Sequence, residues 1–75
     1  MKELIIKNEV VIKLDNEDWE KYRGSKWFQA TNGEVLCLKP ILTLAHLILG
    51  VEPEKEIKFV DGDDRNLTKE NLRSY

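Results

Sequence analysis

The sequence has little cysteine and no excess of positive charge, and each shortage argues against a class of protein. The single Cys37 excludes an internal disulfide and a zinc site built on paired thiolates. Lys and Arg number 12 against 14 Asp and Glu, which gives a formal net charge of -2. This balance disfavours a protein that holds nucleic acid through a broad basic surface, although a local basic face remains open.

Long hydrophobic runs are also missing. The longest apolar stretch, residues 40–51, contains Thr43 and His46 and is too short to span a bilayer, so no membrane partner is expected. Residues 1–7 mix charged and apolar side chains and do not resemble a signal peptide. We therefore expect a cytoplasmic protein.

What remains is the composition of a small folded domain. The chain has 75 residues, of which 41% are hydrophobic and 35% charged, and we expect one domain over residues 1–75. A domain of this size buries a small core and often gains stability by self-association, so a homodimer is a further expectation. Nothing in the sequence calls for a cofactor.

The N-terminal part, residues 1–38, predicts two hairpins and a short helix. Residues 2–14 form two β-favouring runs joined at Asn8 and Glu9, and a helix is expected from Asp15, a good N-cap, to Gly24. A second hairpin is expected over residues 26–38, because Asn-Gly is a strong hairpin signal. Its turn contains Asn32 and Gly33, and its strands are residues 26–30 and 34–38.

The second part, residues 39–75, predicts a central buried helix followed by a strand. Pro40 suits the first turn of a helix over residues 40–50 that is apolar almost all round. Residues 56–60 predict a strand, and a polar turn and a loop then lead into a final helical turn. The predicted fold is a small α+β domain, with two β-hairpins around the central helix and a β-turn-α unit at the C-terminal end.

The order of motifs in this second part resembles a known family. LAHLILG at residues 44–50, a short connector, and IKFVDGDDRNLTKENLR at residues 57–73 resemble the C-terminal half of small phage-type HNH endonucleases of the homing kind. Residues 14–19, Lys26-Trp27 and Asn32-Gly33 are similar to the region that precedes the nuclease motif in that family. The resemblance implies a phage or prophage origin and, in that case, location in the cytoplasm of the host cell.

The catalytic positions of that family are not retained. HNH chemistry needs a His that deprotonates water and, directly before it, an Asp that holds a divalent metal. Lys58 stands at the Asp position and Phe59 at the His position. Phe59 cannot accept a proton, and the charge of Lys58 repels a cation. The resemblance therefore implies a degenerate, catalytically inactive member without a metal site.

Two further positions are altered, and one is kept. Ala45 stands where the family has a His, with His46 directly after it, and Leu67 stands near the place of the middle Asn. Asn71 survives. The three Asp residues at 61, 63 and 64 lack the later ligands of a calcium loop, so a solvated turn is expected there.

The candidate ligand-binding residues cluster around the former catalytic end. A fixed cation at Lys58 can replace a lost metal, and guanidinium groups suit phosphate oxygens. An ordinary solvated surface is the alternative explanation for these cations. Packing within the fold is the alternative explanation for His46. The predicted ligand-binding residues are Lys58, Arg65, Lys69, Asn71, Arg73 and His46.

Three functions follow from these observations. The first is a non-catalytic protein that binds nucleic acid, a nucleotide or another phosphate-bearing ligand. The second is a phage-encoded inhibitor or adaptor that acts on a host defence or regulatory protein, and the third, disfavoured by Phe59, is a residual nuclease. Salt dependence separates the first two, because phosphate binding weakens steeply with salt whereas an apolar protein interface does not.

Overall fold

The computed structural model describes residues 1–37 and 41–75, and within them it shows a small α+β fold, as predicted. The described strands form three small antiparallel sheets. In chain order they are β1 (Lys2–Ile6), β2 (Val10–Leu14), β3 (Phe28–Gln29), β4 (Val35–Cys37), β5 (Leu42–Thr43), β6 (Ile57–Phe59) and β7 (Leu72–Ser74), and the helices are α1 (Asn16–Tyr22) and α2 (Leu44–Leu49).

The first hairpin, β1–β2, is confirmed with its turn. The strands pair from Lys2 opposite Leu14 to Ile6 opposite Val10. Left-handed backbone at Asn8, where φ is 64°, closes the three-residue turn. Side chains alternate across the pleat, so β1 and β2 bury one face of the hairpin and leave the other exposed.

Helix α1 begins after Asp15 and ends one residue before Arg23, close to the predicted end at Gly24. Two tryptophans fix this helix and the chain after it. The indole N–H of Trp19 donates to the carbonyl of Glu3 on β1 over 3.1 Å. The Trp27 indole N–H donates to the carbonyl of Tyr22 over 2.9 Å, and the buried Trp27 ring belongs to the core.

The predicted helix over residues 40–50 is shorter than expected. Pro40 lies outside the described residues, and Leu42–Thr43 form strand β5, which pairs with β4. Thr43 then caps α2, because its side chain accepts a hydrogen bond from the backbone N–H of His46. The end is as predicted, with Gly50 in the left-handed conformation that glycine tolerates.

The C-terminal unit contains the predicted strand and helical turn, and also a strand that was not predicted. Residues Lys69–Asn71 form a 3-10 turn, and β7 follows and pairs with β6 as an antiparallel hairpin. The loop between them also joins the first hairpin. The backbone N–H of Lys13 donates to the carbonyl of Arg65 over 2.8 Å, and its carbonyl accepts from the N–H of Leu67 over 2.9 Å.

One hydrophobic core serves the three sheets and α2. Leu44 on the helix has no exposed surface, which agrees with the predicted central position of α2. The buried apolar residues form one cluster drawn from both parts of the chain: Ile6, Ile12, Leu14, Trp27, Val35, Leu44, Ala45, Ile48, Leu67 and Leu72. Across residues 1–37 and 41–75, neither helix has the length and hydrophobicity needed to cross a bilayer.

Candidate functional site

Two predicted site residues face each other on the exposed side of the C-terminal hairpin. Lys58 on β6 is directly opposite Arg73 on β7. Both side chains are exposed, whereas their neighbours Phe59 and Leu72 turn inward to the core. Like charges directly opposite each other in a sheet are unfavourable, so this pair creates a local positive field on the hairpin.

The same face carries an aromatic ring that the sequence analysis did not consider. The backbone of Glu56 pairs with that of Tyr75 in both directions, which places both residues on the face of Lys58 and Arg73. The Tyr75 side chain is exposed, and the Lys58 Nζ lies 6.0 Å from its ring centroid. The pairing of β6 with the unpredicted strand β7 is what brings this ring beside the cations.

Local contacts hold this basic pair in place. The Lys58 Nζ lies 3.4 Å from the Glu56 Oε1, and both side chains are mostly exposed. The Arg73 guanidinium donates to the carbonyls of Glu70, over 3.0 Å, and Leu72, over 2.8 Å. Backbone carbonyls do not cancel a full charge, so Arg73 keeps its charge for an external anion.

Arg65 lies against a different part of the molecule. Its Nε donates to the Gln29 Oε1 over 3.1 Å, and Gln29 in turn donates to Asp64 over 3.2 Å. The interaction joins the C-terminal loop to β3. The surface around Arg65 therefore includes a carboxylate, unlike the basic pair on the hairpin.

Lys69 is occupied by the acidic first turn of α1. Its Nζ donates to Glu17 over 2.6 Å and lies 3.7 Å from the Oδ1 of buried Asp18. Burial raises the pKa of the Asp18 carboxyl, an effect that the charge of Lys69 partly offsets, and the hydrogen bond to Glu17 raises the pKa of Lys69. These partners give Lys69 a role in docking the C-terminal turn onto α1.

Asn71 is buried, and its amide is used inside the loop. Its Nδ2 donates to the Asp61 Oδ1 and to the carbonyl of Asn66, both over 2.9 Å. Its Oδ1 accepts from the backbone N–H of Asp61 over 2.9 Å. Both amide hydrogens are thus engaged, and the geometry makes Asn71 a clamp for the loop rather than a group that faces a ligand.

The Asp-rich turn is organised around the same clamp. The Asn66 side chain and the backbone N–H of Asp63 both donate to the Asp61 carboxylate, and these bonds lower its pKa. Within the described residues, no group of three or more His, Cys, Asp or Glu side chains is placed to hold a metal ion.

His46 lies away from the basic pair and is held at both ring nitrogens. One nitrogen contacts the Thr43 hydroxyl, and the other lies 2.6 Å from the carbonyl of Lys55. His46 lines a cavity of about 530 Å³ whose lining carries three carboxylates, Glu34, Glu56 and Asp64, against one cation, Lys55. A wall with several carboxylates disfavours phosphate, and the contacts give His46 a role in packing the connector between α2 and β6.

The structure therefore brings together two of the predicted residues, Lys58 and Arg73, and places the others in separate surroundings. Tyr75 completes the candidate site on the exposed face of β6–β7. Comparison of the chain with protein-family models, with curated proteins and with solved structures finds no match. The resemblance to HNH endonucleases consequently stays a prediction.

Proposed function

We propose that this chain is a non-catalytic binding protein whose β6–β7 hairpin binds nucleic acid. The observation that carries the proposal is the cross-strand pair of Lys58 and Arg73 on an exposed face. Two cations held opposite each other repel, and an anion placed between them relieves that repulsion. A phosphate group supplies both the charge and the several acceptor oxygens that an ammonium and a guanidinium can share.

Tyr75 supports a nucleic acid over a simple anion. The ring is 69% exposed and lies on the face of the cation pair, so it offers a flat surface on which a base can stack. Stacking on an aromatic ring next to phosphate-binding cations is the usual arrangement for single-stranded nucleic acid. A free nucleotide presents the same phosphate and base, and length dependence distinguishes the two ligands.

The charge balance of the chain supports a small contact area. The net charge is -2, and Glu56 lies 3.4 Å from the Lys58 amine, so the positive field is confined to the hairpin face. Such a site contacts few phosphates. We therefore expect a modest salt dependence, with a slope set by two cations rather than by a whole basic surface.

The proposed lineage rests on the resemblance of residues 44–73 to phage-type HNH endonucleases. Under this proposal the chain is phage-encoded, acts in the cytoplasm of the host cell and has kept an interaction surface while losing its chemistry. Phe59 supports the loss of catalysis, because its ring packs against the core and cannot serve as a base. Lys58 then supplies a fixed positive charge where the family binds a metal.

The test is a titration of labelled single-stranded DNA, duplex DNA and a nucleoside triphosphate, each at low and moderate salt. Lys58→Glu and Arg73→Glu should each weaken DNA binding by at least about fivefold, which corresponds to ~1 kcal/mol. Tyr75→Ala should weaken binding to single strands more than to duplex. Lys2→Glu, a matched charge reversal on β1, should change the affinity less than about twofold.

Equal affinities of Lys58→Glu and the parent would remove the hairpin as the site. Binding of the triphosphate as tight as that of a strand of about ten nucleotides would identify a nucleotide as the ligand. Failure of the parent to bind any of the three would favour the inhibitor or adaptor function.

A further inference from the structure

A groove of about 780 Å³ lies beside the first hairpin, away from the residues assigned to the nucleic-acid site. Its floor is apolar and consists of Leu4, Ile5, Ile6, Trp27, Phe28 and Cys37. The charged residues in its described lining are Lys7, Arg23 and Lys26, all basic. In a chain with a net charge of -2, a groove whose described charged residues are all cations is a local reversal of the overall balance.

The edge of β1 beside this groove is occupied at both ends and has one residue, Ile5, whose main-chain groups face outward without a partner among the described residues. The carbonyl of Glu3 accepts from the Trp19 indole, and the N–H of Lys7 donates to the carbonyl of Trp27 over 3.2 Å, so both groups point away from β2. Main-chain direction alternates along a strand, so the N–H and C=O of Ile5 point to the same side. The described residues pair nothing with Ile5 on that side.

An exposed apolar pair lies on the same hairpin. Ile5 is directly opposite Val11 across β1–β2, and their side chains are 68% and 38% exposed. This exposed pair adjoins the apolar lining of the groove and extends its apolar surface. With the main-chain groups of Ile5 unpaired among the described residues, it favours a partner that offers both a main chain and apolar side chains.

Nucleic acid fits this groove less well than a polypeptide does. The Trp27 ring is only 4% exposed and its indole N–H is bound to Tyr22, so it offers no face for a base. The Arg23 guanidinium is already placed 4.8 Å from the Trp19 ring centroid, which holds it at the border of the groove. An extended peptide satisfies the strand edge, and carboxylates on it match the three cations.

We propose that the groove docks an extended, acidic segment of another protein, whose main chain pairs with Ile5 at the edge of β1. Its apolar side chains lie in the groove, and its Asp or Glu side chains contact Lys7, Arg23 and Lys26. This function goes beyond nucleic-acid binding by β6–β7 and uses none of its residues. It is the surface that an inhibitor or adaptor would use.

The probe is a synthetic ten-residue peptide that alternates Val with Asp, titrated by fluorescence anisotropy against the full chain. Lys7→Glu and Lys26→Glu should each weaken binding by about tenfold, because each places a negative charge beside the carboxylates of the peptide. Lys55→Glu, the same reversal outside the groove, should change affinity less than about twofold. Replacing every Asp of the peptide with Asn should also weaken binding.

Strand addition has a readout that needs no variant. Hydrogen exchange at the amide of Ile5 should slow by about tenfold or more when the peptide saturates the chain, because that N–H becomes paired. Unchanged exchange at Ile5 with tight binding would overturn the strand geometry. No peptide binding, or binding unaffected by both Lys7→Glu and Lys26→Glu, would overturn the proposal.

A DNA competitor distinguishes this proposal from the nucleic-acid site. If single-stranded DNA bound in place of the peptide and with the same sensitivity to Lys26→Glu, the groove would be a nucleic-acid site and the peptide proposal would be wrong. Simultaneous binding of peptide and DNA, with Lys26→Glu affecting only the peptide, would support two separate surfaces. A hairpin variant such as Lys58→Glu that lost DNA binding and still bound the peptide would likewise support two separate surfaces.

Discussion

The side chain of Asn71 and residue Asp61 are joined by a reciprocal pair of hydrogen bonds. The Asn71 Nδ2 donates to the Asp61 carboxylate, and the Asn71 Oδ1 accepts from the Asp61 backbone N–H, each over 2.9 Å. The backbone adds a third bond, from the N–H of Val60 to the carbonyl of Asn71. The residue that the family resemblance identified as a site remnant thus holds the two ends of the β6–β7 loop together.

Asn71→Ala should destabilise the fold by about 1–3 kcal/mol, because it removes the buried amide and leaves the carbonyl of Asn66 and the Asp61 N–H without their partner at a partly buried site. Urea unfolding followed by tryptophan fluorescence measures the change. Asn16→Ala, at an exposed position on α1, is the control and should stay within about 0.5 kcal/mol of the parent. A stable Asn71→Ala variant that had lost DNA affinity would instead make Asn71 a ligand-binding residue.

The carboxylate of Asp61 should make stability fall in acid. Hydrogen bonds from Asn66 and Asp63 hold the pKa of Asp61 below its ordinary value of 3.8, and the unfolded chain lacks them. Its contribution is therefore complete above pH 3.8 and is lost as the pH falls through the folded pKa. Melting temperatures from neutral pH to about pH 2 should show this loss, and Asp61→Asn should show a smaller one. Identical acid profiles for parent and variant would contradict the assignment.

The core of α2 should dominate stability. Leu44→Ala and Ile48→Ala each remove a buried side chain and should cost about 2–5 kcal/mol, with the larger cost at fully buried Leu44. Ile41→Ala, which shortens a side chain that is 70% exposed just before α2, is the matched control and should cost less than about 0.5 kcal/mol. Equal melting temperatures for Leu44→Ala and Ile41→Ala would show that α2 is not central.

The chain should not cleave DNA. The resemblance to HNH endonucleases implies that Lys58 and Phe59 stand in place of the metal ligand and the base, so supercoiled plasmid incubated with the protein and Mg²⁺ or Mn²⁺ should remain uncut. A heat-treated sample is the control for contaminating nuclease. Metal-dependent nicking that co-purifies with the protein would refute catalytic silence.

Local signals in the sequence were enough for the elements that depend on neighbours in the chain. The first hairpin, its turn at Asn8 and the left-handed stop at Gly50 follow from alternation and backbone conformation. Helix α1 begins after Asp15 as predicted, although the Asp15 side chain makes no capping hydrogen bond and accepts from the N–H of Lys69 instead. The buried position of Leu44 follows from the apolar pattern of α2.

The missed elements depend on partners that are distant in sequence. Leu42–Thr43 read as helix because they continue an apolar run, but pairing with β4 takes them into a strand before the Thr43 cap. Strand β7 is only three residues long and exists through its pairing with β6. Without β7, the sequence gives no reason to place Tyr75 beside Lys58.

In the candidate site, too, the features that depend on neighbours in the chain were predictable, and those that depend on distant partners were not. Alternation on a strand predicts that Lys58 faces away from Phe59, and the structure agrees. The sequence around a cation or an amide in a loop, by contrast, does not indicate which distant residue that side chain contacts. Lys69 beside Glu17, and Asn71 inside the loop, could be assigned only when the distant segments were brought together.

The contact between the first hairpin and the C-terminal loop bears on the rate of folding. The backbone N–H of Lys69 donates to Asp15 across 54 residues of sequence, and Lys13 is bonded to the same loop through Arg65 and Leu67. Leu67 belongs to the same core cluster as Ile12 and Leu14 of the hairpin, so the inner face of the hairpin is covered by residues more than 50 positions away in sequence. Contacts of such large sequence separation should make folding slow for a domain of this size.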